Sequence, residues 1–285
     1  MGRQGLRRGR RRLPDVLHGP REPPPPDRHA ERGGRPGELG QGHVRGRGSL
    51  ERAPVRVRQC VILVGGLGTR LGDIARDTPK PMLPVAGRPF LEHLLAKAAR
   101  SGFDRALLLA GHRAEVISRH IEAETLVDRL GMEIAVSIES EPLGTGGALS
   151  YAHDRLDDAF LLLNGDTWFD FDWRAFADRG DYAGLMALRT VEPADRYETV
   201  VLDGDRVNEI RPRDAGLRKG LINGGVCRLA KTAVPKTDRA FSLEAELLPA
   251  LCKARDLGGQ VFDGAFVDIG VPASLASAEQ ILASA

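Results

Sequence analysis

Apolar positions after residue 55 alternate between the spacings that are typical of strands and of helices. Strands are predicted where β-branched and apolar residues run together or alternate with polar ones. Helices are predicted where apolar residues recur three and four positions apart. The predicted strands are 57–64, 105–110, 132–138 and 159–163, and the predicted helices between them are 90–98, 114–121 and 145–156. This βαβα order indicates an α/β fold with a mostly parallel central sheet, whose ligands bind beyond the carboxyl ends of the strands.

The pattern changes after about residue 171, where the apolar runs become shorter. A turn at Asp203-Gly204-Asp205 separates two of these runs and favours a hairpin. We therefore expect a smaller antiparallel part in this half of the chain. Its predicted strands are 182–189, 199–202, 207–211 and 264–269, and its predicted helices are 243–254 and 272–283.

The first 54 residues differ in composition from the rest of the chain. They hold 13 Arg, no Lys and 6 acidic residues, a net charge of +7, whereas residues 55–285 carry −5. They include the four-proline run at 23–26 and show no hydrophobic periodicity, which favours a disordered Arg/Pro/Gly-rich tail. We expect one folded domain at 55–285. Its acidic balance does not favour nucleic acid as a partner.

Other sequence-wide features exclude several classes of protein. No stretch of 18 consecutive apolar residues occurs, so no membrane-spanning helix is expected. Three cysteines without C-x-x-C spacing are typical of a reducing compartment, and we expect a cytoplasmic protein. Nothing in the pattern bears on oligomeric state.

A glycine-rich turn follows the first predicted strand, and a lysine between two prolines follows soon after. The turn is GGLGTR at 65–70, in which glycines let backbone amides approach phosphate and Arg70 adds a forked cation. It matches neither the P-loop nor the dinucleotide-binding pattern, and a glycine turn alone can simply connect strand to helix. The prolines of PKP at 79–81 restrict the backbone around Lys80, as suits a point charge for phosphate.

Together these segments resemble the signature of sugar-1-phosphate nucleotidylyltransferases, and further matching words follow in order. They are EPLGTGG at 141–147, LNGD at 163–166, NGG at 223–225 and FVDIG at 266–270. The resemblance spans about residues 57–283 and is strongest to the branch that joins GTP to D-glycero-α-D-manno-heptose 1-phosphate. It implies a Rossmann-like nucleotidyltransferase fold, with a nucleoside triphosphate and a sugar 1-phosphate as partners and with Mg²⁺ as cofactor.

The resemblance also implies a role for each matching residue. An oxygen of the sugar 1-phosphate would attack the α-phosphorus of the triphosphate, with Arg70 binding the triphosphate and Lys80 holding both phosphates. Asp166 and Asp268 would hold one Mg²⁺, although 102 positions separate them in the sequence. Nucleotide contacts are expected from Gly65, Gly66, Gly68, Thr69, Glu141, Gly144, Thr145, Gly146 and Gly147. Sugar-phosphate contacts are expected from Asn223, Gly224, Gly225, Arg213 and Glu244.

Three of these roles have open alternatives. Relatives carry Phe-x-Glu-Lys before the sugar turn, whereas this chain has IRPR at 210–213, so either Arg213 or Arg211 replaces the lysine. Glu244 equally suits the first turn of a helix capped by Ser242. Glu141 is our candidate for reading the two adjacent donors of guanine. We interpret Asp170, Asp172, Trp168, Trp173 and Cys60 as structural residues, with lining of the sugar pocket as the alternative for Trp168, which follows Asp166 closely.

Other functions compete with guanylyl transfer to heptose 1-phosphate. A uridylyl- or thymidylyltransferase acting on N-acetylmuramate, glucose or mannose 1-phosphate would use the same motifs. A sensor that binds nucleotide sugars without catalysis would be expected to have lost Arg70, Lys80, Asp166 or Asp268, and all four are present. Binding of RNA through the basic tail is a weaker hypothesis.

Overall fold

The computed structural model describes residues 56–66, 78–123 and 125–283. The strands are β1 (Gln59–Leu63), β2 (Pro84–Val85), β3 (Arg88–Pro89), β4 (Arg105–Ala110), β5 (Glu133–Ile138), β6 (Ala159–Asn164), β7 (Thr167–Phe169), β8 (Gly184–Val191), β9 (Thr199–Asp203), β10 (Arg206–Arg211), β11 (Gly220–Ala230), β12 (Leu257–Val261) and β13 (Phe266–Asp268). The α-helices are α1 (Phe90–Arg100), α2 (Ala114–Ala123), α3 (Leu126–Leu130), α4 (Gly144–Tyr151), α5 (Trp173–Ala177), α6 (Leu248–Lys253) and α7 (Pro272–Leu282).

Nine strands form one continuous sheet in the order β5-β4-β1-β6-β11-β8-β12-β10-β9. The strands β5, β4, β1 and β6 are parallel, and β11 joins β6 in antiparallel orientation. Beyond β11, a parallel β8–β12 pair lies among antiparallel neighbours. Because β4 and β5 extend from one side of β1 while β6 lies on the other, the connections diverge between β1 and β6. Parallel sheets bind ligands at such a switch point.

Both faces of the sheet are covered around β1, β4 and β6, which explains why these strands are mainly apolar. Cys60 and Ile62 of β1 point to one face, where they join a core that includes α1 and α2. Val61 points to the opposite face, where α4 and α6 cover it. The interpretation of Cys60 as a core residue is confirmed, because its side chain is fully buried and burial raises the pKa of its thiol.

Helix α1 is buried around most of its circumference, so its polar residues need partners. The carboxylate of Glu92 is buried beneath α2 and α3. It accepts from His120 Nε2 at 2.8 Å and is paired with Arg129. These two contacts join α1 to both neighbouring helices. No helix in the described part of the chain combines the length and the apolar character needed to cross a membrane.

Most predicted elements are present, and differences occur in both halves of the chain. In the first half, the short strands β2 and β3 and the helix α3 were not predicted. The helix predicted at 145–156 ends at residue 151 and continues as a 3-10 turn. The strands β11 and β12 were not predicted, although they join the two halves into one sheet. The interpretation of Asp172 as structural is confirmed, since its carboxylate caps α5 by accepting from Ala175 N at 2.9 Å.

Candidate active site

The carboxyl ends of β1, β4, β5 and β6 meet at one edge of the sheet around a cavity of about 410 Å³. Hydrogen bonds hold the ends together: Val64 N donates to Leu109 O, and Gly165 N donates to Leu63 O, both at 2.9 Å. The cavity therefore lies at the switch point of the sheet. Seven residues expected from the sequence to bind substrate line it, and these are Gly65, Gly66, Lys80, Gly144, Thr145, Asp166 and Glu244.

Lys80 lies in a short 3-10 turn, and its ammonium is largely buried at the wall of the cavity. The side chain is 10% exposed, and its Nζ lies 3.5 Å from Asp166 Oδ2. The two prolines beside it fix the turn, as expected from the sequence. Three carboxylates (Asp166, Glu139 and Glu244) also line the cleft, so Lys80 is the point in the described lining at which an anionic ligand can find a positive partner.

Gly165 leaves no room for a side chain at the switch point. A Cβ on this residue would lie 2.4 Å from Leu63 O and 3.0 Å from Val64 Cγ1. Gly165→Ala is therefore expected to lower the free energy of unfolding by about 1–3 kcal/mol and to reduce turnover, because the strand end before Asp166 must move. Urea unfolding and pyrophosphate release measure the two effects. Gly180→Ala is the control, since no atom lies within 4 Å of a Cβ there, and equal destabilisation of both variants would contradict the prediction.

The two aspartates predicted to hold a metal are neighbours in the fold. Strands β7 and β13 form a short antiparallel ribbon in which Asp268 pairs with Thr167, directly after Asp166. Ile269 N donates to Asp166 O at 2.9 Å and extends this pairing by one residue. The ribbon thus brings together the backbones of two aspartates that are distant in the sequence, while their side chains line different cavities. Within the described residues, no cluster of three or more His, Cys, Asp or Glu side chains has metal-binding geometry.

The loop expected to contact the base is packed against the segment before Leu243. Gly146 N and Gly147 N donate to Phe241 O at 3.0 and 3.2 Å, and a Cβ on Gly146 would lie 2.2 Å from the Phe241 ring. The hydroxyl of Thr145 donates to Glu244 Oε2 at 2.7 Å. Gly146 and Gly147 therefore have a packing role, while Gly144 and Thr145 reach the cavity.

Glu244 lies both in the first turn of a helical segment and at the wall of the cavity, the two positions that its sequence context allowed. It lies in the first turn of a π-helical segment capped by Ser242, whose hydroxyl accepts from Ala245 N at 3.1 Å. It also lines the cavity. A second hydrogen bond, from the Ser242 hydroxyl at 3.0 Å, fixes its carboxylate beside that from Thr145.

The cavity is also lined by a second glutamate, Glu139, which the sequence did not single out. Glu139 follows β5, and its Oε2 accepts from Leu143 N at 3.4 Å. Its carboxylate lies over Gly111, where an added Cβ would be 2.5 Å from Oε1. Burial raises the pKa of this carboxyl, and the Leu143 amide opposes the shift only in part. Glu141 is exposed and does not line the cavity.

The predicted sugar turn lies in a bulge of β11 and packs against β7. Gly225 has φ +74°, and its amide donates to Asn223 Oδ1 at 3.0 Å. An added Cβ on Gly225 would be 3.1 Å from Thr167, and one on Gly224 would meet Phe169 at 2.5 Å. The turn is thus held directly beside the ribbon that carries the two aspartates.

Several expected residues lie elsewhere. Arg213 and Arg211 are exposed, Arg211 is paired with Glu209 at 2.8 Å, and neither arginine lines a described cavity of the site. Gly68, Thr69 and Arg70 lie outside the described residues. Asp268 lines a separate, smaller cavity together with Arg196 and Tyr197. The interpretation of Asp170, Trp168 and Trp173 as structural is confirmed, since both indoles are buried and the buried Lys97 pairs with Asp170 beside them.

The chain belongs to the nucleotidyl transferase family, whose sequence model matches residues 59–285. It is 37% identical over 216 residues to a D-glycero-alpha-D-manno-heptose 1-phosphate guanylyltransferase of Campylobacter jejuni, an alignment that covers 75% of this chain and 95% of that protein. It is 34% identical to the enzyme of the same name from Aneurinibacillus thermoaerophilus, over 79% of this chain and 98% of that one.

Solved structures agree with this family. The crystal structure of HddC from Yersinia pseudotuberculosis complexed with GMP-PN superposes with a TM-score of 0.70 at 31% identity, covering 79% of this chain and 99% of that one. The nucleotidyltransferase fold and the enzyme class predicted from the motifs are therefore confirmed.

Proposed function

We propose that this chain transfers the guanylyl group of GTP to a sugar 1-phosphate, with D-glycero-α-D-manno-heptose 1-phosphate as the acceptor. The observation that carries the proposal is the buried Lys80 ammonium beside Asp166, at the switch point and next to the ribbon with Asp268. The names of the two similar enzymes and the nucleotide in the HddC crystal support GTP and the heptose.

The reaction joins two anions, so the site must position them and reduce their repulsion. An oxygen of the sugar 1-phosphate attacks the α-phosphorus of GTP. The bond from that phosphorus to the bridging oxygen breaks, and pyrophosphate leaves with the electron pair. Lys80 would hold oxygens of both phosphates in line and stabilise the charge that moves toward pyrophosphate. Arg70 would bind the triphosphate, as its motif predicts.

We propose Mg²⁺ as the metal that Asp166 and Asp268 hold. The residues fit this ion, because Mg²⁺ takes one or two protein carboxylates and completes its coordination with water and phosphate oxygens. Asp166 Oδ1 accepts from the Thr167 hydroxyl at 3.3 Å, which orients the carboxylate. When bound, the ion would neutralise phosphate charge and orient the α-phosphate.

We propose Glu139, in place of Glu141, as the residue that reads the base. Guanine presents two adjacent donors, N1–H and the N2 amino group, and a carboxylate can accept from both. Glu139 lines the cavity beside the glycine turn after β1, whereas Glu141 faces solvent. Uracil and thymine offer one such donor, so an ionised carboxylate at this position favours guanine.

Glu139→Gln is expected to raise the KM for GTP by about 10- to 100-fold, since it removes a charged acceptor of two hydrogen bonds. The preference for GTP over UTP should fall by a similar factor. Because burial raises the pKa of Glu139, wild-type affinity for GTP should be present above this pKa and be lost as pH falls through it. Glu139→Gln should not show that pH dependence. Steady-state kinetics across pH measure both effects.

Glu141→Gln is the matched comparison, because it removes the same charge two residues along the chain. It should leave the ratio of GTP to UTP turnover unchanged. A large fall in that ratio for Glu141→Gln, with none for Glu139→Gln, would return the assignment to Glu141.

A substrate matrix tests the activity itself. The full chain with Mg²⁺ is given each of four nucleoside triphosphates with a panel of sugar 1-phosphates, and pyrophosphate release is recorded. The expected best pair is GTP with D-glycero-α-D-manno-heptose 1-phosphate. Preference for UTP or dTTP would favour the uridylyl- and thymidylyltransferase alternatives, and no release with any pair would favour a sensor.

We propose that residues 55–285 are the catalytic unit and that the protein acts in the cytoplasm, since its three cysteines without C-x-x-C spacing are typical of a reducing compartment. The support is that all the matched motifs lie after residue 57, and that residues 1–54 differ in charge and composition. A chain that starts at residue 55 should keep wild-type kcat. A large loss of kcat on truncation would show that the Arg-rich segment takes part in catalysis.

A further inference from the structure

A second cavity, of about 70 Å³, adjoins the β7–β13 ribbon at Asp268. It is lined by Arg196, Tyr197, Asp268, Val271 and Ser274. Its lining is one cation, two hydroxyls, one carboxylate and one apolar side chain. The volume suits a small ionic group and excludes a sugar ring.

The proposed acceptor brings a phosphate monoester that needs a cation of its own. Among the described residues that line the larger cavity, Lys80 is the one cation, and it faces three carboxylates. Arg213 and Arg211, the cations expected from the sequence, line neither cavity. Among the described residues, the phosphate of the sugar 1-phosphate therefore has no cationic partner assigned to it other than Lys80.

Arg196 is an exposed residue of an anchored loop, and it lines the smaller cavity together with Asp268. Its guanidinium carbon lies 5.7 Å from the centre of the Tyr197 ring, a cation–π arrangement that restricts its orientation. Tyr197 N donates to Ala194 O at 3.2 Å, and Ala194 is fully buried with its amide bonded to Leu217 O. A guanidinium held in this way loses less freedom on binding a phosphate than an unrestrained one.

The position of Arg196 relates it to the reacting groups through the β7–β13 ribbon. Asp166 lines the larger cavity with Lys80, and Asp268 lines the smaller one with Arg196. The two aspartates lie diagonally across the ribbon, since Asp268 pairs with Thr167, the neighbour of Asp166. The same ribbon therefore contributes one residue to the lining of each cavity.

We propose that Arg196 binds the phosphate of the sugar 1-phosphate, with the hydroxyls of Tyr197 and Ser274 as further donors. This inference rests on the proposed function and names the cation for its acceptor substrate. The fork of an arginine can give two parallel hydrogen bonds to one phosphate, which suits a ligand with a fixed direction of attack. Arg196 then takes the role that the sequence motif assigned to Arg213.

Arg196→Gln tests the proposal, because glutamine keeps a polar stem and removes the charge. With the full chain, Mg²⁺ and GTP, the KM for the sugar 1-phosphate should rise about tenfold or more, while the KM for GTP changes less than about twofold. Arg196→Lys should recover part of the loss. Calorimetric titration of the sugar 1-phosphate onto protein saturated with a GTP analogue that has a methylene bridge between the α- and β-phosphates should show the same weakening without turnover. Arg218→Gln, an exposed arginine between β10 and β11, is the control for a general loss of positive charge.

Each other outcome overturns the proposal in an identifiable way. A wild-type KM for the sugar 1-phosphate in Arg196→Gln, with a raised one in Arg213→Gln, would assign the phosphate to Arg213. A raised Mg²⁺ requirement with an unchanged KM for the sugar 1-phosphate would mean that Arg196 only balances Asp268. An equal effect of Arg218→Gln would indicate long-range electrostatics. A wild-type chain that turns over no sugar 1-phosphate would instead refute the proposed function, and this inference with it.

Discussion

Replacing Lys80 by methionine is expected to lower kcat by about 10²- to 10³-fold, the loss typical of removing one preorganised donor to a developing negative charge. Methionine keeps the unbranched stem, so the turn between the prolines should be retained. The 3.5 Å contact with Asp166 is lost, and the two phosphates lose the cation that holds them together. Single-turnover measurement of GDP-sugar formation would show the defect in the chemical step.

Lys97→Met is the matched control for this variant. Lys97 is also a buried lysine paired with an aspartate, Asp170, but it stacks on Trp168 and Trp173 and lines neither cavity. Its replacement should lower the Tm and leave kcat close to the wild-type value. Equal losses of kcat in the two variants would mean that any buried charge pair in this region supports activity. A wild-type kcat for Lys80→Met would refute its catalytic role.

Asp166→Asn and Asp268→Asn are each expected to raise the Mg²⁺ concentration for half-maximal activity by at least about 10- to 100-fold. A loss of metal affinity by that factor is typical when a group that only orients a metal ligand is replaced. Replacing a residue that binds the metal directly should lower the affinity by at least as much. Because both carboxylates would hold one ion, the double variant should lose little more than the worse single variant. Binding of Mn²⁺ in the presence of GTP, followed by its paramagnetic resonance signal, gives a readout that is independent of turnover.

Asp172→Asn controls for the loss of a nearby carboxylate. Asp172 caps α5, and asparagine caps helices equally well, so metal dependence and stability should both stay unchanged. Fully additive losses in the double variant would show that Asp166 and Asp268 act separately. Wild-type Mn²⁺ binding in both single variants would place the metal elsewhere.

The parallel half of the fold could be predicted because its apolar runs are long and its connections are helical. The strands β11 and β12 could not, because glycines interrupt their patterns, and isolated glycines argue against strands. The structure gives the reason for these glycines. A Cβ on Gly258 would meet the Tyr182 ring at 2.4 Å, and one on Gly259 would meet Leu188 at 2.6 Å. Close packing of neighbouring strands, which is a tertiary constraint, overrides the local preference.

The candidate site was predictable where a motif identifies a residue by itself. Lys80 and Asp166 were identified in this way, and both reach the cavity. Motifs report only the residues inside them, which is why Glu139, two residues before EPLGTGG, was missed. They also do not report proximity between distant segments. Arg196, in ADRYETV, gave no signal of its own until the fold placed it beside Asp268.

The continuity of the sheet has a consequence for how specificity can diverge. The ladder between β6 and β11 pairs five consecutive residues and holds the strand that precedes Asp166 in fixed register with the strand that carries Asn223, Gly224 and Gly225. If the first group binds the nucleotide and the second binds the sugar, as proposed, this ladder keeps the attacking and attacked phosphates at one separation whichever base or sugar is bound. Substitutions in one of these regions can then change the specificity for one substrate without moving the residues that position the other. The specificity for the base and the specificity for the sugar can therefore change separately, in evolution or by redesign.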